Sequence, residues 1–118
     1  MGGKERKIDM KNIEVKIAKG QILAFAQLHG SKNSENDIFV NGAISFAKDM
    51  REMKKFRVFA NLCNEQGEIL HILSTYKAFS TINSYYSFSL YCADISRYLE
   101  VDKLAYVEVY AVLDDKYE

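Results

Sequence analysis

The 118-residue chain has no proline and no tryptophan, only two cysteines and two histidines, and no net charge. Each shortage removes something. Without proline, chain reversals fall to Gly, Asn, Asp and Ser. The balance of 16 basic and 16 acidic side chains gives no general attraction to a nucleic-acid backbone or an anionic membrane, so nucleic acid is not a favoured partner. No apolar run approaches the ~18 residues of a membrane span, and the N-terminus lacks the apolar core of a signal peptide. The chain as given therefore reads as cytoplasmic, or as extracytoplasmic if a leader has been removed. Strand parity turns Cys63 outward and Cys92 inward, which predicts two free thiols and agrees with a reducing compartment.

What the sequence does have is alternation and aromatics, with eight tyrosines and seven phenylalanines. The clearest stretch is Phe56 to Leu73, in which Phe56, Val58, Ala60 and Leu62 alternate up to Asn64-Glu65-Gln66-Gly67. A second apolar arm from Ile69 to about Tyr76 follows, so the stretch is predicted as a β-hairpin. Five further strands are expected: Met10 to Ile17, Gln21 to His29, Ile38 to Ala47, Tyr85 to Cys92 and Leu104 to Leu113. In the last two, Tyr86, Phe88, Leu90 and Cys92, and then Ala105, Val107, Val109, Ala111 and Leu113, form the inward rows. Gly30 to Asp37 is a polar loop. Lys48 to Lys55 is expected to make a helical turn held by Met50 and Met53, and Asp94 to cap a second turn that includes Ile95, Tyr98 and Leu99. No internal repeat or low-complexity segment stands out.

Seven strands, hairpin-length connections and no long helix predict one all-β domain over residues 1–118, with 1–9 loose and a frayed tail at 114–118. The expected form is an antiparallel immunoglobulin-like β-sandwich, with an open β-barrel as the alternative. Residues 38 to 92 resemble the FxLYD-type domains of bacterial proteins. The likeness rests on Phe39-Val40-Asn41-Gly42-Ala43-Ile44, a variable crossover, and Ala60-Asn61-Leu62-Cys63-Asn64 before Gly67, in which the leucine alone matches the family motif literally. The resemblance implies an architecture and no activity.

Chemistry is sparse. His29 and His71 have no Cys, Asp or Glu at metal-ligand spacing within their own strands. Asn33, Glu35 and Asp37 alternate oxygen donors but lack the glycine and closing glutamate of a calcium loop. No cofactor, metal or catalytic residue is expected, and the chain reads as non-enzymatic. The feature that exceeds the needs of a core is an outward aromatic set, Phe59, Tyr85, Tyr91, Tyr106 and Tyr110, with Phe25 as a further member. If the last two strands are neighbours, four of these tyrosines pave one sheet face. The expected function is protein–protein interaction through that face or through a strand edge, with another protein or a second copy of the chain as partner. A small accessory or inhibitor subunit fits this description. The alternatives are carbohydrate stacking on the same tyrosines and, third, an enzyme built on His29, His71 and loop carboxylates.

Overall fold

The computed structural model describes residues 10–18, 23–46, 55–78 and 85–114. Seven strands account for most of them: β1 (Lys11–Ile17), β2 (Leu23–Lys32), β3 (Ile38–Phe46), β4 (Lys55–Cys63), β5 (Ile69–Ala78), β6 (Tyr86–Cys92) and β7 (Tyr106–Asp114). They form a single sheet in the order β5-β4-β7-β1-β2-β3-β6. The sheet curls until its outer strands β5 and β6 lie alongside each other, one hydrogen-bonded ladder short of a closed barrel. The all-β expectation holds, and the open barrel is the nearer of its two forms. The expected loose stretch 1–9, the crossover turn with Met50 and Met53, and the tail beyond 114 lie outside the described residues.

Alternation decides which side chains face the core. Phe56, Val58, Ala60 and Leu62 of β4 are fully buried, as are Ile38, Val40 and Ile44 of β3 and Val107 and Val109 of β7. Tyr86, Phe88 and Leu90 of β6 join the same cluster. Phe46, Phe56 and Tyr86 meet edge to face, with ring centroids 5.0 to 6.1 Å apart. Such contacts add to simple area burial.

The pairing departs from an all-antiparallel arrangement at one seam. β1 spends its first half antiparallel to β2, with Ile13 opposite Gly30, and its second half parallel to β7, with Glu14 to Ile17 opposite Tyr106 to Val109. Gly30 makes the transfer possible. A Cβ there would sit 2.7 Å from Val15 Cγ2 and 3.2 Å from the Ile13 carbonyl oxygen, so only a residue without a side chain lets β1 cross so closely. A parallel pair needs no local connection between its strands, and this one joins the two ends of the sequence. The strand order also differs from that of an immunoglobulin sandwich, which pairs its second strand with its fifth. Here β2 pairs with β3, and the crossing to the other half follows β3.

Cys63 is a correction. Expected to face solvent, it is 1% exposed although it keeps its parity in an unbroken register against β7; the irregularity between Leu62 and Cys63 lies in the pairing with β5, where Leu70 is passed over. Its thiol lies beside Tyr106, its cross-strand neighbour on β7. Both cysteines are free thiols. The expected turn after Ala93 takes the form of two 3-10 turns, Ile95–Arg97 and Val101–Lys103. Asp94 stands at the start of the first with φ 44° and makes no side-chain cap; its carboxylate instead accepts from Ser96 Oγ.

Strand directions place the β2–β3, β4–β5 and β6–β7 connections at one end of the molecule. There the segment from Ala93 to Ala105 ties the two hairpin turns together. The Ile95 amide donates to the Asn36 carbonyl, the Asp94 amide to Asp37 Oδ1, and the Ala105 amide to the Cys63 carbonyl, each at 2.8 Å. Ile95, fully buried, plugs this end of the core.

Candidate interaction surface

On β4 the residues between the core positions, Lys55, Arg57, Phe59 and Asn61, point to the outside of the sheet. Register then chooses their neighbours. Arg57 lies between Tyr76 of β5 and Val112 of β7, and Phe59 between Ser74 and Tyr110. The Arg57 guanidinium carbon sits 4.0 Å from the Tyr76 ring centroid and 5.5 Å from that of Phe59. Phe59 stacks on Tyr110 at 5.0 Å with an interplanar angle of 13°, and Lys55 Nζ lies 5.0 Å from the Tyr76 centroid. Two cations and three rings thus form one continuous strip, flanked by exposed Ile72 and Val112. Cation–π contacts at exposed positions contribute roughly 0.5–1 kcal/mol each, enough to bias the long Arg57 side chain toward one geometry.

The five sequence-predicted residues do not share one face. Phe59 and Tyr110 belong to the strip, and Tyr106 lies on the same strand as Tyr110, under Lys16 Nζ at 4.3 Å. Tyr85 and Tyr91 are on or beside β6, which β1, β2 and β3 separate from β7 in the sheet order. There Tyr91 stacks on Phe39 at 5.1 Å. The expected neighbourhood of the last two strands does not form, so no single face carries four tyrosines. The side chain of Phe25 lies outside the described residues. Arg57, Lys55 and Tyr76 are the members that sequence reasoning missed. Their common face was legible from parity, but their adjacency follows from cross-strand register, which parity does not supply.

Burial raises the pKa of Tyr106, helped by the neighbouring Cys63, and burial likewise raises that of the Cys63 thiol. Cys92 is shifted upward too, first by burial and then by Asp37 and Asp94. Both thiols are therefore held in the protonated, weakly nucleophilic form. Asn61, opposite Ile72 of β5 and Glu108 of β7, is 5% exposed, and its Oδ1 has no hydrogen-bond partner.

The remaining candidates separate in space. His29 is exposed on β2, whereas His71 on β5 stacks on Tyr98 at 4.5 Å with the rings 10° from parallel. That stack ties β5 to the segment between β6 and β7. The oxygen-rich loop at Asn33 uses its donors internally, as Asn33 Nδ2 donates to Asp37 Oδ2 at 3.0 Å. Among the described residues no group of three His, Cys, Asp or Glu side chains converges to hold a metal. A polar cleft of about 290 Å³ lies between the β4–β5 turn and the second 3-10 turn, lined by Asn64, Glu65, Gln66, Asp102, Lys103 and Leu104. Among the described residues no helix is long and apolar enough to cross a membrane. Comparison with protein-family models, with curated proteins and with solved structures finds no match.

Proposed function

We propose that this chain is a non-enzymatic interaction domain that binds another protein through the outer face of β7, β4 and β5. The observation that carries the reading is the stacked strip of Lys55, Arg57, Phe59, Tyr76 and Tyr110. Arg and Tyr dominate the energetics of protein interfaces because each offers a large contact area with directed polar atoms. An Arg already stacked between rings loses less conformational entropy on binding than a free one. Carbohydrate stacking is the weaker reading, since a sugar needs an open ring face and here Phe59 and Tyr110 cover each other. An enzymatic reading on His29 and His71 has no geometry to support it, because the two lie on β2 and β5.

The test compares wild type with Arg57→Glu and with Tyr76→Ala plus Tyr110→Ala as baits in the native cell, followed by affinity measurement on each captured protein. A specific partner should bind the variants at least tenfold more weakly, with thermal unfolding of the bait unchanged. Partners that bind all three baits equally would sink the proposed face.

A further inference from the structure

We infer that the outer face of β2, β3 and β6 holds one ring of a neutral saccharide, in a hollow bordered by Gln27, His29, Asn41 and Ala43. This face shares no strand with the Arg57 strip, so the two proposals stand or fall separately. Register puts Gln27 beside Ala43, and His29 beside Asn41, which in turn faces Ser89; the next row carries Phe39 and Tyr91. The short Ala43 and the backbone of Leu28 and Gly42 leave a hollow of about 250 Å³ between β2 and β3. Successive rows lie roughly 7 Å apart, so the Phe39–Tyr91 pair stands as a wall one row from Asn41.

The polar groups around the hollow have capacity to spare. Asn41 Oδ1 accepts from Ser89 Oγ at 2.7 Å, which orients the amide and leaves its Nδ2 to donate. Gln27 and His29 are exposed, and their side chains make no hydrogen bond to the described residues. A side-chain amide, like a neutral imidazole, carries a donor and an acceptor together, which is what a sugar hydroxyl needs. Tyr91 supplies the apolar surface. It is 57% exposed, and its ring is tilted 39° from Phe39, so the electron-rich face stays open to sugar C–H groups, unlike the Phe59–Tyr110 pair at 13°. Charge then narrows the class. The outward positions of β2 from 27 to 31, of β3 from 39 to 45 and of β6 from 87 to 91 hold no Asp, Glu, Lys or Arg. A phosphate, carboxylate or ammonium ligand would lose water here and gain no counter-charge. The hollow is smaller than the roughly 300–1,000 Å³ of pockets that enclose drug-sized molecules, which suits a single sugar ring of a longer chain.

The test is an NMR titration of isotope-labelled protein with cellobiose, maltose, lactose and N,N′-diacetylchitobiose, each to roughly 20 mM, since so small a contact implies a millimolar dissociation constant. At least one sugar should saturate, with amide shifts centred on residues 27–29, 41–43 and 87–91 and those of 57–61 unmoved. Tyr91→Ala and Asn41→Ala should each weaken that binding at least fivefold, and Tyr91→Phe should keep most of it. Should Asn41→Ala not fold, Gln27→Ala at an exposed position carries the polar half of the test. Adenine, flat and neutral but without hydroxyls, should cause no shift at these amides. No saturating sugar, shifts centred elsewhere, full affinity in the alanine variants, or adenine binding in place of the sugars would each overturn the inference. None of these outcomes bears on the Arg57 face.

Discussion

The β2–β3 and β4–β5 hairpins turn in the same way with almost no sequence in common. In the first, Asn33 Oδ1 accepts from the amides of Glu35 and Asp37, both at 2.9 Å, and Nδ2 donates to the Asp37 carboxylate. In the second, Asn64 Oδ1 accepts from Gln66 and Glu68 at 3.0 and 2.8 Å, and Nδ2 donates to Glu68 at 2.7 Å. The position three residues after each Asn has positive φ, Asn36 at 68° and Gly67 at 85°. Only asparagine serves both roles at the first position. An aspartate would keep the two accepted bonds but lose the donor and repel the carboxylate four residues on.

The two turns differ in what rests on them. Asn36 and Asp37 receive the Ile95 and Asp94 amides, and through them hold the buried plug of the core. The second turn is exposed from Glu65 to Glu68. The hairpin bodies differ too, since β2–β3 contains close backbone approaches at Gly30 and Gly42. The same local hydrogen-bond pattern is thus a joint in one hairpin and a loop tip in the other.

The largest effect is expected inside the first hairpin. A Cβ at Gly42 would lie 2.6 Å from the Gln27 carbonyl oxygen and 2.7 Å from Leu28 Cδ2. Gly42→Ala should therefore cost about 3 kcal/mol in urea unfolding, the upper end for overpacking, because one of the obstacles is backbone. A loss below about 1 kcal/mol would show that β2 and β3 can separate freely.

Removing the keystone side chains should rank the two turns. Asn33→Ala is expected to cost about 3 kcal/mol and Asn64→Ala about 2 kcal/mol, from three lost bonds each plus the loosened plug in the first case. Equal losses would mean that the Ala93–Ala105 segment holds its place without the turn. At the left-handed positions the changes are smaller. Gly67→Ala should cost about 1 kcal/mol, with its backbone angle as the whole cause, because the nearest atom to an added Cβ is Tyr106 Oη at an ordinary 3.6 Å. Asn36→Gly should change stability by no more than a few tenths of a kcal/mol.

The smallest effect separates the turns by pH. Bonds from Asn33 and then from the Asp94 amide lower the pKa of Asp37 below its ordinary value. A carboxylate depressed in the folded state contributes stability that is fully present above its unfolded pKa, near 3.9. That contribution disappears as pH falls through the lower folded value. Asp37→Asn should flatten the acid limb of the stability curve below about pH 4 and leave its shape at neutral pH unchanged. An unchanged acid limb would show that the Asp37 bonds do not favour its charged form.

The inward rows of β3, β4, β6 and β7 were legible from the sequence, because period-2 alternation is a local property and the buried residues are those it predicts. Asn64 to Gly67 was legible as a turn for the same reason. Its likeness to Asn33 to Asp37 was not, since the two share one residue type and a hydrogen-bond pattern. For the surface, the sequence supplied Phe59 and Tyr110 and the outward direction of Tyr85 and Tyr91, but assembled them wrongly.

The sequence by itself determined that the chain is all β, where its strands run, and which side of each faces the core, through local alternation and turn chemistry. Tertiary structure alone decided strand order, register, the parallel seam between β1 and β7, the burial of Cys63 and the company that Arg57 keeps. Those depend on which distant strands pair. Pairing is fixed by features that alternation does not encode: a glycine where another strand crosses, a bulge that shifts one register, and a segment that joins two turns across the end of the sheet.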